Sequence, residues 1–571
     1  MKKEHQDFWE WLFTDMRPLG AGMFGFSAYG MFEHEPLVAP IVISSVIAGA
    51  EIGGCFGTVK IGDDYVDRWY ANNGSFKNFI GLKNQSIRWT PFSKISYFLP
   101  SKKRDDNFYV DNFRFEDEQI KYKLNFLNKI LANRAEKQDR HMSWDMLKKG
   151  SLILGSMGQG KTEFLNNIIV QWIDTNRKMV IHDTKGEFTS WYYRKGKDYI
   201  INHLDRRGVY WDFFEDNEKG LPYPLISEFF QSYFIAVAGD KGDKFWQEMA
   251  GKRFKEVFEE LKLQNDVPSH EKMEILAKEL LAYLSYAKAS GNKTEQSIAS
   301  TLEASLDIFL KFAYMAKNER RKILLTEFFK SEDSRIFLHT IAVGEKDNAP
   351  FITAFLTVMM RYQLTYFDKA PKEQWILYVL DEYLTFFEKM SEDIRRSVHT
   401  KARSYGMLLL PALQYLPSDE KLKEVLTGSI ENMWIFAGTN SDTNDEIKKM
   451  TGKVQINDVS KKKDDKYDET LYTQKEHYLL SDNILKEMEP GEHISFFPKK
   501  SVIYFGYTEQ VEVKPISKDY IEEKKEENSF IQFKRELAEK AEKEIKKEIE
   551  EMKQDISETF KQERQQKLFG N

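Results

Sequence analysis

The chain has 571 residues, 41% of them hydrophobic and 30% charged, which is enough for two or three domains with a sizeable core. Its formal net charge of -6 excludes a globally basic nucleic-acid binder, so any such contact must be a local lining. The single cysteine, Cys55, excludes an intrachain disulfide framework and a cysteine-rich zinc site, and the ten histidines form no ligand-spaced cluster.

The N-terminal region is apolar in two runs. Leu19–Phe32 is Gly-rich and, at about 14 residues, too short to span a bilayer alone, whereas Leu37–Val59, at about 23, can span. Glu51 interrupts the second run at a cost on the order of a few kcal/mol if it sits mid-bilayer. Glu33-His34-Glu35-Pro36 reads as the turn between them. Lys2, Lys3 and Arg17 before the pair and Lys60 and Arg68 after it place both ends in the cytoplasm by the positive-inside rule. The small residues suit helix packing in lipid, which favours insertion over the alternative, a buried hairpin of a soluble domain. Between Gly62 and Lys149 the sequence predicts a short strand at Ile95–Leu99, a charged loop at 102–106 and a helix over Asp117–Ala135.

Next comes the segment with the clearest chemistry. The apolar Ser151–Leu154 leads into GSMGQGKT at 155–162, and Glu163–Val170 reads as the helix that follows. The string fits G-x-x-x-x-G-K-[ST] in the strand–loop–helix context that gives the pattern its mechanism. Backbone N–H groups of Gly155, Ser156, Met157, Gly158, Gln159 and Gly160 would cradle phosphates, with Lys161 reaching the β/γ-phosphates and the Thr162 hydroxyl ligating Mg²⁺. The cofactors implied are ATP and Mg²⁺.

Lys178–Asp183 is an apolar strand with an acidic end, expected beside the P-loop strand, although Asp183 alone reads more simply as a helix cap. Tyr199–Ile201 follows as a strand, and 204–213 as a loop. Asp243–Leu263, His270–Ala289 and Thr294–Lys317 carry apolar residues at helical spacing, separated by Pro268 and Ser290-Gly291-Asn292. Ser334–Thr340 is a strand and Pro350–Phe367 a helix. Trp375–Leu380 is an apolar strand ending in Asp381-Glu382. Such a run is buried on both faces of a parallel sheet, which would present Asp381 to the metal and its waters and Glu382 to the attacking water. From Lys161 to Asp381 the chain runs 220 residues (381 − 161), which leaves room for an all-helical insertion.

Downstream, Ile394–Ser404 is a basic helix, and Met407–Leu413 an apolar strand ending at Gln414. That glutamine can hydrogen-bond the γ-phosphate or its water and report its loss. Met433–Ala437 is a strand, Gly438–Asn444 a loop and Asp445–Thr451 a helix. From Lys518 the chain is Lys/Glu-rich, with Phe530, Phe533, Leu537, Ala541, Ile545, Ile549, Met552, Ile556 and Phe560 spaced three or four apart. That is a long amphipathic helix, resting on its own domain or serving as a docking arm.

This order of motifs resembles the TraD-type coupling proteins of type IV secretion and conjugation systems, relatives of the FtsK/HerA DNA pumps. The matching segments are GSMGQGKT at 155–162, HDTKGEF at 182–188, LDRRGVYWDFF at 204–214 and KFWQ at 244–247, followed by ILYVLDE at 376–382, KARSYGMLLLPALQ at 401–414 and Asn440–Asp445. Together they cover roughly residues 110–510. The P-loop and acidic strand are generic, and their combination with the other segments is much more specific. The resemblance implies a homo-hexameric ring, an inner-membrane anchor with the bulk of the chain cytoplasmic, ATP hydrolysis between subunits, and translocation of single-stranded DNA with its attached relaxase into a type IV secretion channel. Arg403 matches the family's trans-acting arginine finger. The chain departs from the family in its Gly-rich membrane segment with Glu51 and in a nearly absent extracytoplasmic loop.

The expected fold is therefore α/β: a RecA-like P-loop nucleotide-binding domain with an inserted all-α domain, an N-terminal membrane hairpin and a C-terminal helical tail. The boundaries are 1–60 for the hairpin, 61–225 and 326–517 for the two parts of the nucleotide-binding domain, 226–325 for the insertion and 518–571 for the tail. Expected catalytic residues are Glu382, Asp381, Lys161, Arg403 and Gln414, and expected metal ligands Thr162 and Asp381. Two other activities fit the same motifs: an ATP-gated receptor for protein substrates, and a duplex-DNA pump of the FtsK/HerA kind.

Overall fold

The computed structural model describes residues 58–61, 64–67, 107–113 and, with short breaks, 138–569. The apolar hairpin with Glu51 and Cys55, the expected strand at Ile95–Leu99, the charged loop and the helix over Asp117–Ala135 lie outside the described residues, except that Thr58 and Val59 open a short strand. Among the described residues no helix is long and apolar enough to cross a membrane. The chain forms two compact units, one from the residues up to Thr175 with Leu408–Glu512, the other from Asn176–Met407 with Val513 onward. Strands are numbered along the chain.

In the first unit, β1 (Thr58–Ile61) and β2 (Asp64–Asp67) form a small antiparallel pair. The main sheet takes β3 (Asn107–Phe113), β4 (Gln138–Ser143), β5 (Ser151–Leu154), β12 (Met407–Leu413), β13 (Asn432–Phe436), β16 (Glu492–Phe497) and β17 (Val502–Tyr507) in the order β4-β3-β17-β16-β13-β5-β12. β13, β5 and β12 are parallel, and β16 onward is an antiparallel wing. Leu152, Ile153 and Leu154 are fully buried, as a short apolar strand between two neighbours must be. The helix Lys161–Ile173 covers them with Phe164, Leu165, Ile168, Ile169 and Trp172, one face at helical spacing. Its two ends are anchored by aromatic pairs, Phe164 on Trp434 at 5.0 Å and Trp172 edge-on to Trp144 at 4.9 Å. A long antiparallel hairpin, β14 (Lys453–Asp464) and β15 (Tyr467–Tyr478), stands in the same unit.

The second unit is built on a parallel sheet of β6 (Lys178–Asp183), β7 (Tyr199–Ile201), β10 (Arg335–His339) and β11 (Ile376–Leu380) in the order β11-β6-β10-β7. The expected placement of Lys178–Asp183 beside the P-loop strand does not hold: β6 pairs with β10 and β11, and β5 with β12 and β13. A two-residue parallel pair, β8 (Tyr210–Trp211) with β9 (Lys322–Ile323), brackets a helical run, so Trp211 belongs to a strand rather than to the expected loop.

Among the described residues six helices fill the interval: Phe213–Glu218, Tyr223–Ala238, Lys244–Lys262, Ser269–Ala289, Lys293–Glu303 and Asp307–Lys317. The single helix expected over Thr294–Lys317 is two. The chain breaks where the Tyr233 hydroxyl donates to the Ser305 carbonyl at 2.9 Å, and the second helix then brings Phe309 to 4.5 Å from Phe254. Around that contact Trp211, Phe213, Phe214, Phe229, Phe230 and Phe258 make one aromatic core, whereas Phe245, read as apolar-face, is 51% exposed. The C-terminal helix Glu527–Phe569 buries Phe533, Leu537 and Ala541, with Phe533 at 5.6 Å from Tyr314 and Lys278 paired to Glu544 at 2.9 Å.

Candidate nucleotide site

The loop between β5 and its helix is held at three points. Gly155 N–H donates to the Leu413 carbonyl at the end of β12 (3.1 Å), Ser156 N–H to Ala437 after β13 (3.0 Å), and Gly491 N–H to the Gln159 carbonyl (3.0 Å). Two glycines turn the chain through the left-handed region, Gly158 at φ +80° and Gly160 at φ +101°. At Gly160 there is a second constraint: a Cβ would lie 2.8 Å from the Gly491 nitrogen and 2.9 Å from its Cα. Backbone meets backbone there, so only glycine fits.

This loop suits a polyphosphate on four observations. Among the described residues, the N–H groups of Met157, Gly158, Gln159 and Gly160 donate to no carbonyl, so a cradle of donors stands ready at a helix N-terminus. A Cβ at Gly158 would meet nothing within 4 Å, so the loop is open on that side. Lys161 is buried, with its ammonium donating to the Gly155 and Ser156 carbonyls (2.5 and 2.9 Å), lying across the loop it would serve. Thr162, in the first helical turn and half-buried, has no hydrogen-bond partner among the described residues, which leaves its hydroxyl for a ligand. Met157 at the loop tip is 64% exposed. Gln414 follows directly on Leu413, whose carbonyl binds Gly155.

Sequence reasoning missed Gly438 and Gly491. Gly438 has φ +81°, and a Cβ on it would fall 2.3 Å from the Ser156 hydroxyl. Gly491, after Pro490, was legible as a turn but not as a wall of the loop. The expected loop 438–444 is shorter than read, because Asn440 caps a helix that starts at Ser441, its side chain accepting from Thr443 N–H at 2.9 Å.

In the second unit, Asp381 and Glu382 follow β11 directly, both half-buried. Glu382 has φ +51°, a left-handed conformation that a non-glycine residue seldom takes. Its N–H donates to the Asp381 carboxylate at 3.1 Å, and its carbonyl accepts from Thr385 N–H and from the Thr385 hydroxyl at 3.1 and 2.9 Å. Arg403 lies in a 3-10 turn, Ala402–Tyr405, beyond the helix Glu392–Lys401 that replaces the expected Ile394–Ser404. It is exposed and has no ion-pair or hydrogen-bond partner among the described residues. Arg395, by contrast, donates to the Phe387 and Glu388 carbonyls, and Arg396 pairs with Glu392 at 2.8 Å.

Two motif residues of this unit, and Asp216 just beyond the second motif, are structural. Asp183, fully buried, accepts from Gly186 N–H (2.8 Å) and Thr189 N–H (2.6 Å), capping the helix Glu187–Tyr192. Asp205 is held by Arg207 in a two-point pair at 2.6 and 2.9 Å, and Arg207 also binds the Ser517 hydroxyl and the Lys518 carbonyl. Asp216 accepts from Trp211 Nε1, Leu325 N–H and the Thr326 N–H and hydroxyl, which ties β8 to the chain after β9.

The fold and the loop define an α/β P-loop protein. The chain belongs to the type IV secretion-system coupling proteins: the family model for their DNA-binding domain matches residues 141–479, more than half of its length. Among solved structures it is similar to the bacterial conjugative coupling protein TrwBΔN70 in its unbound monoclinic form, with 18% identity and a TM-score of 0.52 over 67% of this chain and 89% of that one. The same protein in complex with ADP and Mg²⁺ gives 18% identity and 0.51 over 67% and 89%, and in complex with a non-hydrolysable ATP analogue 16% and 0.50 over 67% and 90%. No curated protein sequence matches the chain.

Proposed function

We propose that this chain is an ATP-driven motor that couples a DNA–protein substrate, single-stranded DNA with its relaxase, to a type IV secretion channel. The observation that carries the reading is the preformed cradle at Gly155–Thr162, where four loop N–H groups and the Thr162 hydroxyl have no partner among the described residues, in a chain of the coupling-protein family. That TrwB is found with ADP and Mg²⁺ and with an ATP analogue supports ATP and Mg²⁺ as the cofactors.

In this reading the loop N–H groups and Lys161 hold the β/γ-phosphates, Lys161 exchanging its two carbonyl partners for phosphate oxygens. Thr162 and Asp381 would hold Mg²⁺, which when bound would supply positive charge against the phosphates. Glu382 takes the proton of the attacking water, and Gln414 hydrogen-bonds the γ-phosphate or that water. Arg403, exposed and without a partner among the described residues, acts on the site of a neighbouring subunit, which makes hydrolysis depend on a homo-hexamer. The segment 1–60 anchors the ring in the bacterial inner membrane with its bulk in the cytoplasm, and 226–325 is a helical domain inserted between 61–225 and 326–517.

The test is the ATPase rate of the full chain with and without DNA. Single-stranded DNA should stimulate turnover more than duplex. Equal or greater stimulation by duplex would point to a duplex pump, and none to a gated protein receptor. Mixing Arg403→Ala with Lys161→Ala protein should restore part of the activity that each lacks alone, and absence of rescue would remove Arg403 from the site.

A further inference from the structure

The HDTKGEF segment leaves one side chain that neither the cap nor the proposed chemistry uses. His182, the residue before the capping Asp183, is 2% exposed and lies in β6 in register with Leu380, the last residue of β11. Its ring stands edge-on against Phe386 at 4.3 Å, which fixes its plane. Its Nδ1–H donates to the main-chain carbonyl of Asp381, and its Nε2 accepts from the Thr340 hydroxyl at 2.9 Å. A carbonyl can only accept, so the proton resides on Nδ1 and the hydroxyl partner completes a neutral ring. Full burial of the ring disfavours its charged form. Thr340 is itself tied to the strand, donating its N–H to the Asp183 carbonyl at 3.1 Å.

The carbonyl that His182 binds belongs to the peptide joining Asp381 to Glu382, and the N–H of that peptide donates to the Asp381 carboxylate at 3.1 Å. Both ends of the peptide are therefore held. On the far side of Glu382, the next peptide is held through its carbonyl by the N–H and hydroxyl of Thr385. With the two planes fixed, the φ of +51° between them follows, and with it the direction in which the Glu382 side chain leaves the backbone.

We infer that His182 is a positioning residue for hydrolysis: it orients the Asp381–Glu382 peptide, and so the Glu382 carboxylate, with Thr340 setting the tautomer that lets it donate. This rests on the reading of Asp381 and Glu382 as the hydrolytic pair. An imidazole bonded on both nitrogens by backbone and hydroxyl orients a reacting group in the way that outer ligands orient inner ones in metal sites, without touching the reactants.

The test uses steady-state ATPase kinetics and thermal denaturation of the full chain. His182→Phe keeps the ring and loses the donor; kcat should fall about 10-fold or more, with KM for ATP within about 2-fold, because the loop that binds nucleotide is untouched. His182→Asn places an amide N–H near the position of Nδ1 and should recover kcat to within about 3-fold of wild type. Should the Phe variant unfold, His182→Gln supplies the contrast, since its amide reaches the place of Nε2 instead and should behave as the Phe variant does. Wild-type kcat in His182→Phe, or equal kcat in the Asn and Gln variants, would overturn the inference. Glu382→Gln separates the layers. If it hydrolyses ATP normally, the underlying reading of the pair fails. If it is inactive while His182→Phe is fully active, only the positioning role fails.

Discussion

The P-loop and the Asp381–Glu382 turn solve one problem in opposite ways. Each directs the chain through a left-handed residue just past the end of a fully buried strand, so that polar groups face outward from an apolar sheet. In the loop the left-handed residues are Gly158 and Gly160, which adopt that conformation at little steric cost. In the turn it is Glu382, for which the same conformation costs about 1–3 kcal/mol and persists only because its surroundings over-determine it. A glycine records its conformation in the sequence, whereas a strained glutamate does not.

The largest effects should separate the two sites by what they lose. Lys161→Ala should abolish tight nucleotide binding as well as turnover, measured with a fluorescent ATP analogue and by phosphate release. Glu382→Gln should leave binding near wild type and lower turnover by about 10²-fold or more, the range for removing a general base. Normal nucleotide affinity in Lys161→Ala would break the first half of the comparison, and normal turnover in Glu382→Gln the second.

Within the loop, Gly160→Ala and Gly158→Ala test whether conformation or contact demands glycine. Gly160→Ala faces both φ +101° and backbone atoms at 2.8 and 2.9 Å, and should cost about 2–3 kcal/mol in thermal denaturation. Gly158→Ala faces φ +80° in open space and should cost only about 1–2 kcal/mol. Equal costs would mean that the close approach of Gly491 contributes nothing. Asp183→Ala lies between the two: loss of a buried carboxylate that accepts two N–H groups should cost about 1–3 kcal/mol while kcat stays within a few-fold, and a large loss of kcat would add Asp183 to the catalytic set.

How much of this was legible follows the same division. β5, β6, β10, β11 and β12 announced themselves as short apolar runs because parallel strands are buried on both faces. The helices between Lys244 and Lys317 were legible from their period, whereas Tyr223–Ala238 was not read as a helix. The break before Asp307 was not legible, since the Tyr233–Ser305 hydrogen bond joins residues 72 apart. The hairpin β14–β15 was missed because Lys461-Lys462-Lys463 and Asp464 hide a two-residue period behind a charge run. Lys161 and Thr162 could be read from one motif, and Asp381 and Glu382 from one strand. The clamp on Glu382 could not be read, since His182 and Thr340 come from different strand ends 158 residues apart in sequence.

The smallest effect sharpens the comparison most, because it asks whether strain at Glu382 differs from strain elsewhere. Three non-glycine described residues have positive φ: Asn176 at +52°, Glu319 at +50° and Glu382 at +51°. Asparagine tolerates this region, so Asn176 needs no special account. Glu319 follows the helix Asp307–Lys317, its N–H bonded to the Ala316 carbonyl at 3.1 Å, a helix end at which glycine is the usual choice. Glu319→Gly should therefore raise stability by about 1 kcal/mol, roughly 2 °C in Tm, and leave kcat unchanged. Glu382→Asn should raise stability by a similar amount, since asparagine takes the same φ at lower cost, but it should abolish turnover. Similar rises in Tm with opposite outcomes for activity would show two equal strains of which only one serves the reaction. A fall in Tm for Glu382→Asn would instead mean that the carboxylate stabilises the fold, and its conformation would then need no catalytic explanation.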